Sequence, residues 1–173
     1  MNLKYDSDEQ IIYVMKADGS KEVLEAEFPS EPVTSPDKTK AVYIAPLEWE
    51  RLGSLYLYDL LTGENKELIK PDDKHHIPKK VIWLDNHNLA VIIGFGYGTV
   101  AIGGNVFVYN LDTEQKKPLT EYDQRTQVTN IVFKDGVLEL EGIRYIDDTF
   151  NEFERFEEKI KLSHADGEVQ IAT

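Results

Sequence analysis

The residues with the clearest pattern for chemistry are five glycines in the stretch "GFGYGTVAIGG", residues 94–104. A glycine-rich turn binds phosphate when it leads directly into a helix, because the N–H groups of the first helical turn then face the anion. No Gly-Lys-Ser/Thr follows this G-x-G-x-G pattern, and the residues after it, "TVAIGGNVFVYNL", have the composition of a strand. The pattern therefore favours a connection between strands over a phosphate site.

The other polar residues match no pattern of nucleophilic or metal-dependent catalysis. The chain has no cysteine, which excludes thiolate ligands, cysteine nucleophiles and disulfides. The adjacent His75 and His76 point in different directions on an extended chain, and neither H-E-x-x-H, an EF-hand loop nor G-x-S-x-G occurs. Among 32 acidic residues, some pair always lies at a glycosidase spacing, so that signal is uninformative. We predict no catalytic residue, no metal site and no cofactor.

Length and charge limit the classes of partner. A chain of 173 residues fits one domain, predicted over residues 1–173. The 19 Lys and Arg against 32 Asp and Glu give a net charge of −13, which repels nucleic acid and anionic lipid. The first residues lack the basic start and long apolar segment of a signal peptide, and no apolar run is long enough to span a membrane. We expect no nucleic-acid partner, no membrane partner and a cytoplasmic location.

A repeat of about 50 residues organises the chain. "SLYLYDLLTGENKEL" at residues 54–68 aligns with "NVFVYNLDTEQKKPL" at residues 105–119, and "IIYVMKADGSKEVL" at residues 11–24 is a third copy. Each copy has an apolar run, a turn rich in Asp, Thr and Gly, and a shorter return, which predicts a β-hairpin.

A second type of hairpin precedes these copies. It is predicted in "VTSPDKTKAVYIAP" (33–46), "VIWLDNHNLAVIIG" (81–94) and "NIVFKDGVLELEG" (130–142), which turn at Ser-Pro-Asp, Asp-Asn-His-Asn and Asp-Gly. One inner and one outer hairpin per repeat give a four-stranded antiparallel sheet, the blade of a β-propeller. For the ambiguous segment 149–162, "TFNEFERFEEKIKL", the repeat predicts an outer strand rather than an amphipathic helix.

Two resemblances agree with this interpretation. "SPDKTKAVYI" followed by "LYLYDLLTGENKEL" resembles the blades of Tol-B-type propellers and, more loosely because the WD dipeptide is absent, those of WD-repeat propellers. "PLEWERLGSLYLYDL" and "IGFGYGT" with "GGNVFVYN" resemble a family of small bacterial proteins of unknown function. The resemblance implies a shared all-β fold and carries no activity with it.

The number of repeats leaves the closure of the ring open. At about 50 residues per repeat the chain holds fewer than four complete blades, and the first repeat shows only its outer hairpin. Residues 167–173, "GEVQIAT", could pair beside residues 2–5 and close a small four-bladed propeller. Otherwise the sheets form an incomplete propeller, or else a β-sandwich or open barrel. A closed ring favours a monomer, and open edges favour an edge-paired homodimer.

The segments that join inner to outer hairpins are predicted to lie on one face of the molecule. Residues 46–54 align with residues 97–105, and a corresponding segment follows Gly142. Exposed aromatic and arginine side chains are common anchors of binding surfaces. The candidate binding residues in these segments are Trp49, Glu50, Arg51, Phe95, Tyr97, Arg144, Tyr145, Asp147 and Asp148. The alternative is that Trp49 and Phe95 cover the ends of the core.

Two classes of function follow from this placement. We expect a non-catalytic binding module for a protein or peptide that uses these loops. The alternative is a small-molecule-binding protein or hydrolase-type enzyme with a polar site in the same loops, for instance around Glu50, Arg51 and Asp147. Strongly shifted carboxylate pKa values in a deep cleft would indicate the alternative, and a shallow, partly aromatic surface would indicate the binding module.

Overall fold

The computed structural model describes residues 1–172, and this part of the chain consists of strands joined by turns and loops. The prediction of an all-β protein is confirmed. In chain order the strands are β1 Asn2–Asp6, β2 Ile11–Met15, β3 Lys21–Glu25, β4 Val33–Thr34, β5 Lys40–Ala45, β6 Ser54–Asp59, β7 Asn65–Ile69, β8 His76–Trp83, β9 Asn88–Phe95, β10 Asn105–Asn110, β11 Gln115–Pro118, β12 Thr126–Lys134, β13 Val137–Tyr145, β14 Phe153–Ala165 and β15 Glu168–Ile171.

The strands form four antiparallel sheets, each made of strands that follow one another in the chain. Blade 1 contains β1 to β3, blade 2 contains β4 to β7, blade 3 contains β8 to β11, and blade 4 contains β12 to β15. The predicted inner and outer hairpins therefore combine into one sheet per repeat. The propeller-like blade is confirmed, and the sandwich or open barrel is not the architecture found.

Short turns with the predicted chemistry set the register of the hairpins. Asp135 and Gly136 form the two-residue turn between β12 and β13 with φ of 52° and 77°, as an Asp-Gly hairpin turn requires. In the Ser-Pro-Asp turn, the Ser35 hydroxyl donates to Asp37 at 2.7 Å and the Thr39 amide donates to it at 3.0 Å. These hydrogen bonds, that from Ser35 first, lower the pKa of Asp37 to about 2.

The ambiguous segment forms the long strand β14 and not a helix. Phe156, Ile160 and Leu162 lie on one face of β14 and are buried, although Glu158 on the same face is exposed. The buried side chains follow the repeat, in which one face of each outer strand packs on the neighbouring blade. The preference for a strand is confirmed.

Apolar side chains pack between consecutive blades. One cluster around Ile12 and Tyr43 joins blades 1 and 2, a second around Leu55 and Val91 joins blades 2 and 3, and a third, which includes Leu138, joins blades 3 and 4. Each buried side chain of this size contributes roughly 1.5–3 kcal/mol relative to an exposed one. The blades are therefore held as a series by their facing surfaces.

Among residues 1–172, no strand pairing and no buried apolar cluster joins blade 4 to blade 1. Residues 168–171 do not pair with β1. They form β15, which pairs with β14 in blade 4 through a turn at Asp166 and Gly167. This local hairpin closes a two-residue loop, whereas pairing with β1 would bring together residues from opposite ends of the sequence at a larger cost in loop entropy. The predicted closing pair is wrong for these residues, and Thr173 lies outside the described ones.

Because successive connections in an antiparallel meander alternate between the two ends of the strands, each blade has two distinct ends. One end carries the β5–β6, β9–β10 and β13–β14 connections, residues 46–53, 96–104 and 146–152, together with the linkers between blades. We call these three connections the loop face. The opposite end carries short turns such as residues 60–64 between β6 and β7.

Candidate functional site

The three connections of the loop face lie side by side. The Gly98 amide donates to Oε1 of Glu50 at 3.4 Å, so residues 96–104 contact residues 46–53. The Tyr145 hydroxyl donates to the carbonyl oxygen of Val100 at 3.0 Å, so the same connection contacts the end of β13. The predicted segments therefore meet on one face, as the repeat implies.

The glycine run allows two blades to approach closely. The Gly104 amide donates to the Val128 carbonyl at 3.0 Å, and the Val128 amide donates to the Gly104 carbonyl at 2.8 Å. A Cβ on Gly103 would lie 2.3 Å from the Val128 carbonyl oxygen, and one on Gly104 would lie 2.0 Å from that of Ile93. No helix follows the run within the described residues. These glycines permit a backbone bridge between blades 3 and 4, and the phosphate interpretation finds no support.

Hydrogen bonds from one buried glutamine fix the conformation of the connection 96–104. The side chain of Gln127 is buried; its carbonyl oxygen accepts from the Gly103 amide at 3.0 Å, and its Nε2 donates to the Val100 carbonyl at 3.1 Å. The sequence analysis did not find Gln127, because a single glutamine in a strand carries no distinguishing pattern. Its hydrogen bonds hold residues 100–103 in one conformation.

The aromatic candidates are exposed, although to different extents. Trp49 is 70% exposed, Phe95 is 42% exposed and Tyr97 is 37% exposed. The Phe95 and Tyr97 rings meet edge to face with centroids 5.9 Å apart, and the His75 ring lies 5.2 Å from that of Tyr97. The exposure of Trp49 counts against a role in covering the core, whereas Phe95 is more than half covered, and for Phe95 the alternative stays a prediction.

Tyr145 requires a correction. This residue is the last of β13 and is 6% exposed, so its ring packs inside the blade against Phe150 and Phe153, with centroids 5.1 and 6.0 Å away. β13 continues through Tyr145, three residues beyond Gly142, after which the connection was predicted to begin, and this places the ring inward. Tyr145 supports the loop face and does not present its side chain to a partner.

The predicted basic residues have acidic partners. Arg51 lies 3.4 Å from both Glu48 and Glu27. Nη1 of Arg144 lies 3.8 Å from Glu154, and its guanidinium stands over the Phe156 ring at 5.0 Å.

The predicted acidic residues have partners of their own. Asp148 forms an ion pair with Arg125. Asp147 accepts hydrogen bonds from Thr149, Asn151 and Glu152 within its own turn, and these bonds, that from Thr149 first, lower its pKa. Among the described residues no hydrogen bond or ion pair connects Asp147 to Glu50 or Arg51, so the structure does not assemble the polar site that was considered for these three residues.

A groove of about 520 Å³ runs between the connections 46–53 and 96–104. Its lining combines apolar side chains with three charged ones: Leu47, Trp49, Ile77 and Ile102 with Lys79, Glu48 and Glu50. Trp49 and Ile102 are exposed, the latter by 51%. A second groove of about 490 Å³ lies on the other side of the same glycine connection, and Ala101 lines both.

Lys79 is the residue of this groove that the sequence analysis missed. Its ammonium donates to the carbonyl oxygens of Ala101 at 2.7 Å and of Gly103 at 3.0 Å, and burial lowers its pKa to about 8. Lys79 is the extra residue of a β-bulge between Pro78 and Lys80, and bulges redirect side chains next to binding sites. The sequence feature that could have indicated Lys79 is its position in β8, two residues before the buried Val81, since alternate residues of a strand lie on the same face.

The fold and the sequence together define a propeller-like β-repeat protein. Residues 46–164 match the family described as "Domain of unknown function (DUF4652)". This match spans more than half of the sequence, so the chain belongs to that family. No curated protein matches the chain.

Solved structures share the fold at low sequence identity. A conserved protein of Clostridium novyi NT, proposed to be a lipoprotein, is 24% identical with a TM-score of 0.72, over 93% of this chain and 99% of that one. The β-propeller domain of the Trilobed protease from Pyrococcus furiosus, described as having an open velcro topology, is 15% identical with a TM-score of 0.53, over 99% of this chain and 52% of that one. Oligopeptidase B from Trypanosoma brucei is 13% identical with a TM-score of 0.64, over 96% of this chain and 24% of that one. The chain therefore spans about half or less of the two protease chains, and these likenesses show the fold alone.

No group of three or more histidine or acidic side chains among residues 1–172 is arranged to hold a metal ion. No helix in the same range is long and apolar enough to cross a membrane.

Proposed function

We propose that this chain is a binding module that takes a peptide segment of a protein partner on its loop face. The observation that supports this most is the groove between two connections, with the exposed side chains of Trp49 and Ile102 among its lining. Exposed tryptophan is a frequent anchor of peptide and protein interfaces. The groove also exposes apolar side chains at the surface, and exposed apolar patches mark interaction sites.

A hydrolase-type function has less support. Glu50, Arg51 and Asp147 would have to act together, and each is engaged with different neighbours. The pKa of Asp147 is lowered by hydrogen bonds within its turn, that from Thr149 first, whereas a general acid needs a raised pKa. The proposal is therefore a module without catalytic residues.

The net charge of −13 supports a partner other than nucleic acid or an anionic membrane. The surface around the groove carries Glu48 and Glu50, so a strongly acidic partner is disfavoured there. The cytoplasmic location stays a prediction, which cell fractionation with an antibody to the native protein would test.

The test is selection from a random peptide library displayed with free carboxyl termini. The immobilised full chain should enrich related sequences with apolar residues, and the same pool should not be retained by a Trp49→Ala, Ile102→Ser double variant. A Leu61→Ala variant is the matched control, since Leu61 is 74% exposed in the turn on the opposite end of blade 2. Absence of enrichment, or enrichment that survives the double substitution, would refute the proposed function.

A further inference from the structure

Lys79 differs from the arginines on and beside the loop face in having no acidic partner among residues 1–172. Arg51, Arg125 and Arg144 each form an ion pair there. Among residues 1–172 no ion pair includes Lys79, although the chain has 32 acidic residues, and burial is the one cause of its lowered pKa. Keeping a partly buried charge without a counter-ion is unfavourable.

The ammonium of Lys79 also has unused hydrogen-bonding capacity. An ammonium carries three N–H donors, and the Ala101 and Gly103 carbonyls accept two of them. These two bonds fix the position of Nζ beside the groove. One donor remains for an acceptor that enters the groove.

The two glutamates in the groove lining do not serve as that acceptor. Glu48 lies 3.4 Å from Arg51, and Glu50 accepts from the Gly98 amide at 3.4 Å. Both also disfavour a phosphate, since a dianion would meet two carboxylates and a single cation. A monoanionic carboxylate matches the one positive charge.

We propose that the groove binds the free C-terminal carboxylate of a peptide, which accepts the third N–H of Lys79 while apolar side chains of the last residues pack on Leu47, Ile77 and Ile102. This inference rests on the proposed function and specifies its ligand. The end of a peptide can enter the groove end-on past Trp49. An internal acidic residue would have to bring the peptide segments on both of its sides between the connections.

The experiment compares N-acetyl-Gly-Leu-Leu as the free acid with the same peptide as its C-terminal amide. Binding to the full chain is followed by ¹⁵N–¹H shifts of residues 96–103 and by the NMR-detected titration of Lys79. We expect the acid to bind at least about tenfold more tightly, a ratio within the range of a charge-assisted hydrogen bond. The acid, and not the amide, should raise the pKa of Lys79.

Two variants test whether the charge of Lys79, rather than the shape of the groove, produces the difference between acid and amide. Lys79→Met should remove the difference between acid and amide, and Lys80→Met is the matched control, because the Lys80 ammonium contacts Asn130 between blades and not the groove. An N-acetyl-Gly-Asp-Leu-Leu amide carries an internal acid and should bind no more tightly than the neutral amide. Equal binding of acid and amide to the wild type would overturn the inference, and so would an absence of binding by both.

Failure of the inference and failure of the proposed function are distinguishable. If selected peptides bind through Trp49 whether or not their carboxyl terminus is amidated, the peptide-binding module stands and the role of Lys79 is refuted. If the library selection gives no peptide at all, the proposed function itself is refuted. The acid and amide comparison on the wild type needs no variant, so it remains informative if Lys79→Met does not fold.

Discussion

Gly104 and Val128 exchange two backbone hydrogen bonds, with N–O distances of 3.0 and 2.8 Å, and thereby join blade 3 directly to blade 4. The bridge lies at the end of the glycine-rich connection, where the absence of side chains lets the strands approach. The connection 96–104 is consequently fixed at its carboxyl end, and its exposed residues extend from this fixed end.

Gly104→Ala tests this close approach. A Cβ at Gly104 would lie 2.0 Å from the Ile93 carbonyl oxygen, so a strand has to shift and the free energy of unfolding should fall by more than about 2 kcal/mol. Gly98→Ala is the control, because a Cβ there meets nothing within 4 Å and only its φ of +83° is unfavourable, at a cost of about 1 kcal/mol. Urea denaturation measures both, and equal losses would contradict the close-approach explanation.

Gln127→Leu tests the anchoring of residues 100–103. The substitution leaves the Gly103 amide without the acceptor it has at 3.0 Å, and an unsatisfied buried donor costs about 1–3 kcal/mol. Tyr145→Phe should cost less, since the Val100 carbonyl keeps its bond from Gln127 at 3.1 Å. Hydrogen exchange should show faster exchange in residues 100–103 for Gln127→Leu; unchanged protection there would contradict the anchoring role.

Lys79 gives a pH dependence with a defined sign. Burial lowers its pKa to about 8 from the ordinary value of 10.5, so between these values the unfolded chain binds more protons at this site than the folded chain. The free energy of unfolding of the wild type should therefore rise, relative to that of Lys79→Met, as pH increases from about 8 to 10.5. Denaturation at several pH values measures the difference, and a flat or falling difference would contradict the burial of Lys79.

The exposed edge of β1 determines the expected oligomeric state. Blades 2 to 4 have four strands each, and blade 1 has three. Among the described residues β1 pairs only with β2. Lys4, exposed at the centre of β1, protects such an edge against pairing. We expect a monomer by light scattering and a larger dimer fraction for Lys4→Val; identical masses for the two proteins would contradict this role of Lys4.

The blades were predictable because local signals agreed with one another. Alternating apolar residues in β6 and β10, with Asp-Gly or Ser-Pro-Asp turns between strands, specify hairpins regardless of distant contacts. The pairing of residues 168–171 was predicted wrongly, although Asp166 and Gly167 are an Asp-Gly turn of the same kind. The sequence analysis left the closure of the ring open and did not weigh this local turn against it.

The site was predictable only in part, for physical reasons. Sequence spacing places Trp49, Phe95 and Tyr97 in connections, and such residues are exposed when no element covers them. The inward position of Tyr145 depends on where β13 ends, which sequence alone determines poorly. Lys79 depends on a one-residue bulge and on carbonyls 22 and 24 residues away in the chain, and no local pattern encodes those contacts.

The most direct test of the binding groove is calorimetric titration of one library-selected peptide against three proteins. Wild type and Leu61→Ala should bind it with equal affinity, and Trp49→Ala should bind at least about tenfold more weakly, which corresponds to about 1.4 kcal/mol. All three should have the same stability within about 0.5 kcal/mol, because both side chains are exposed. Equal affinity of the Trp49→Ala protein and the wild type would contradict the account of the loop face as the binding surface.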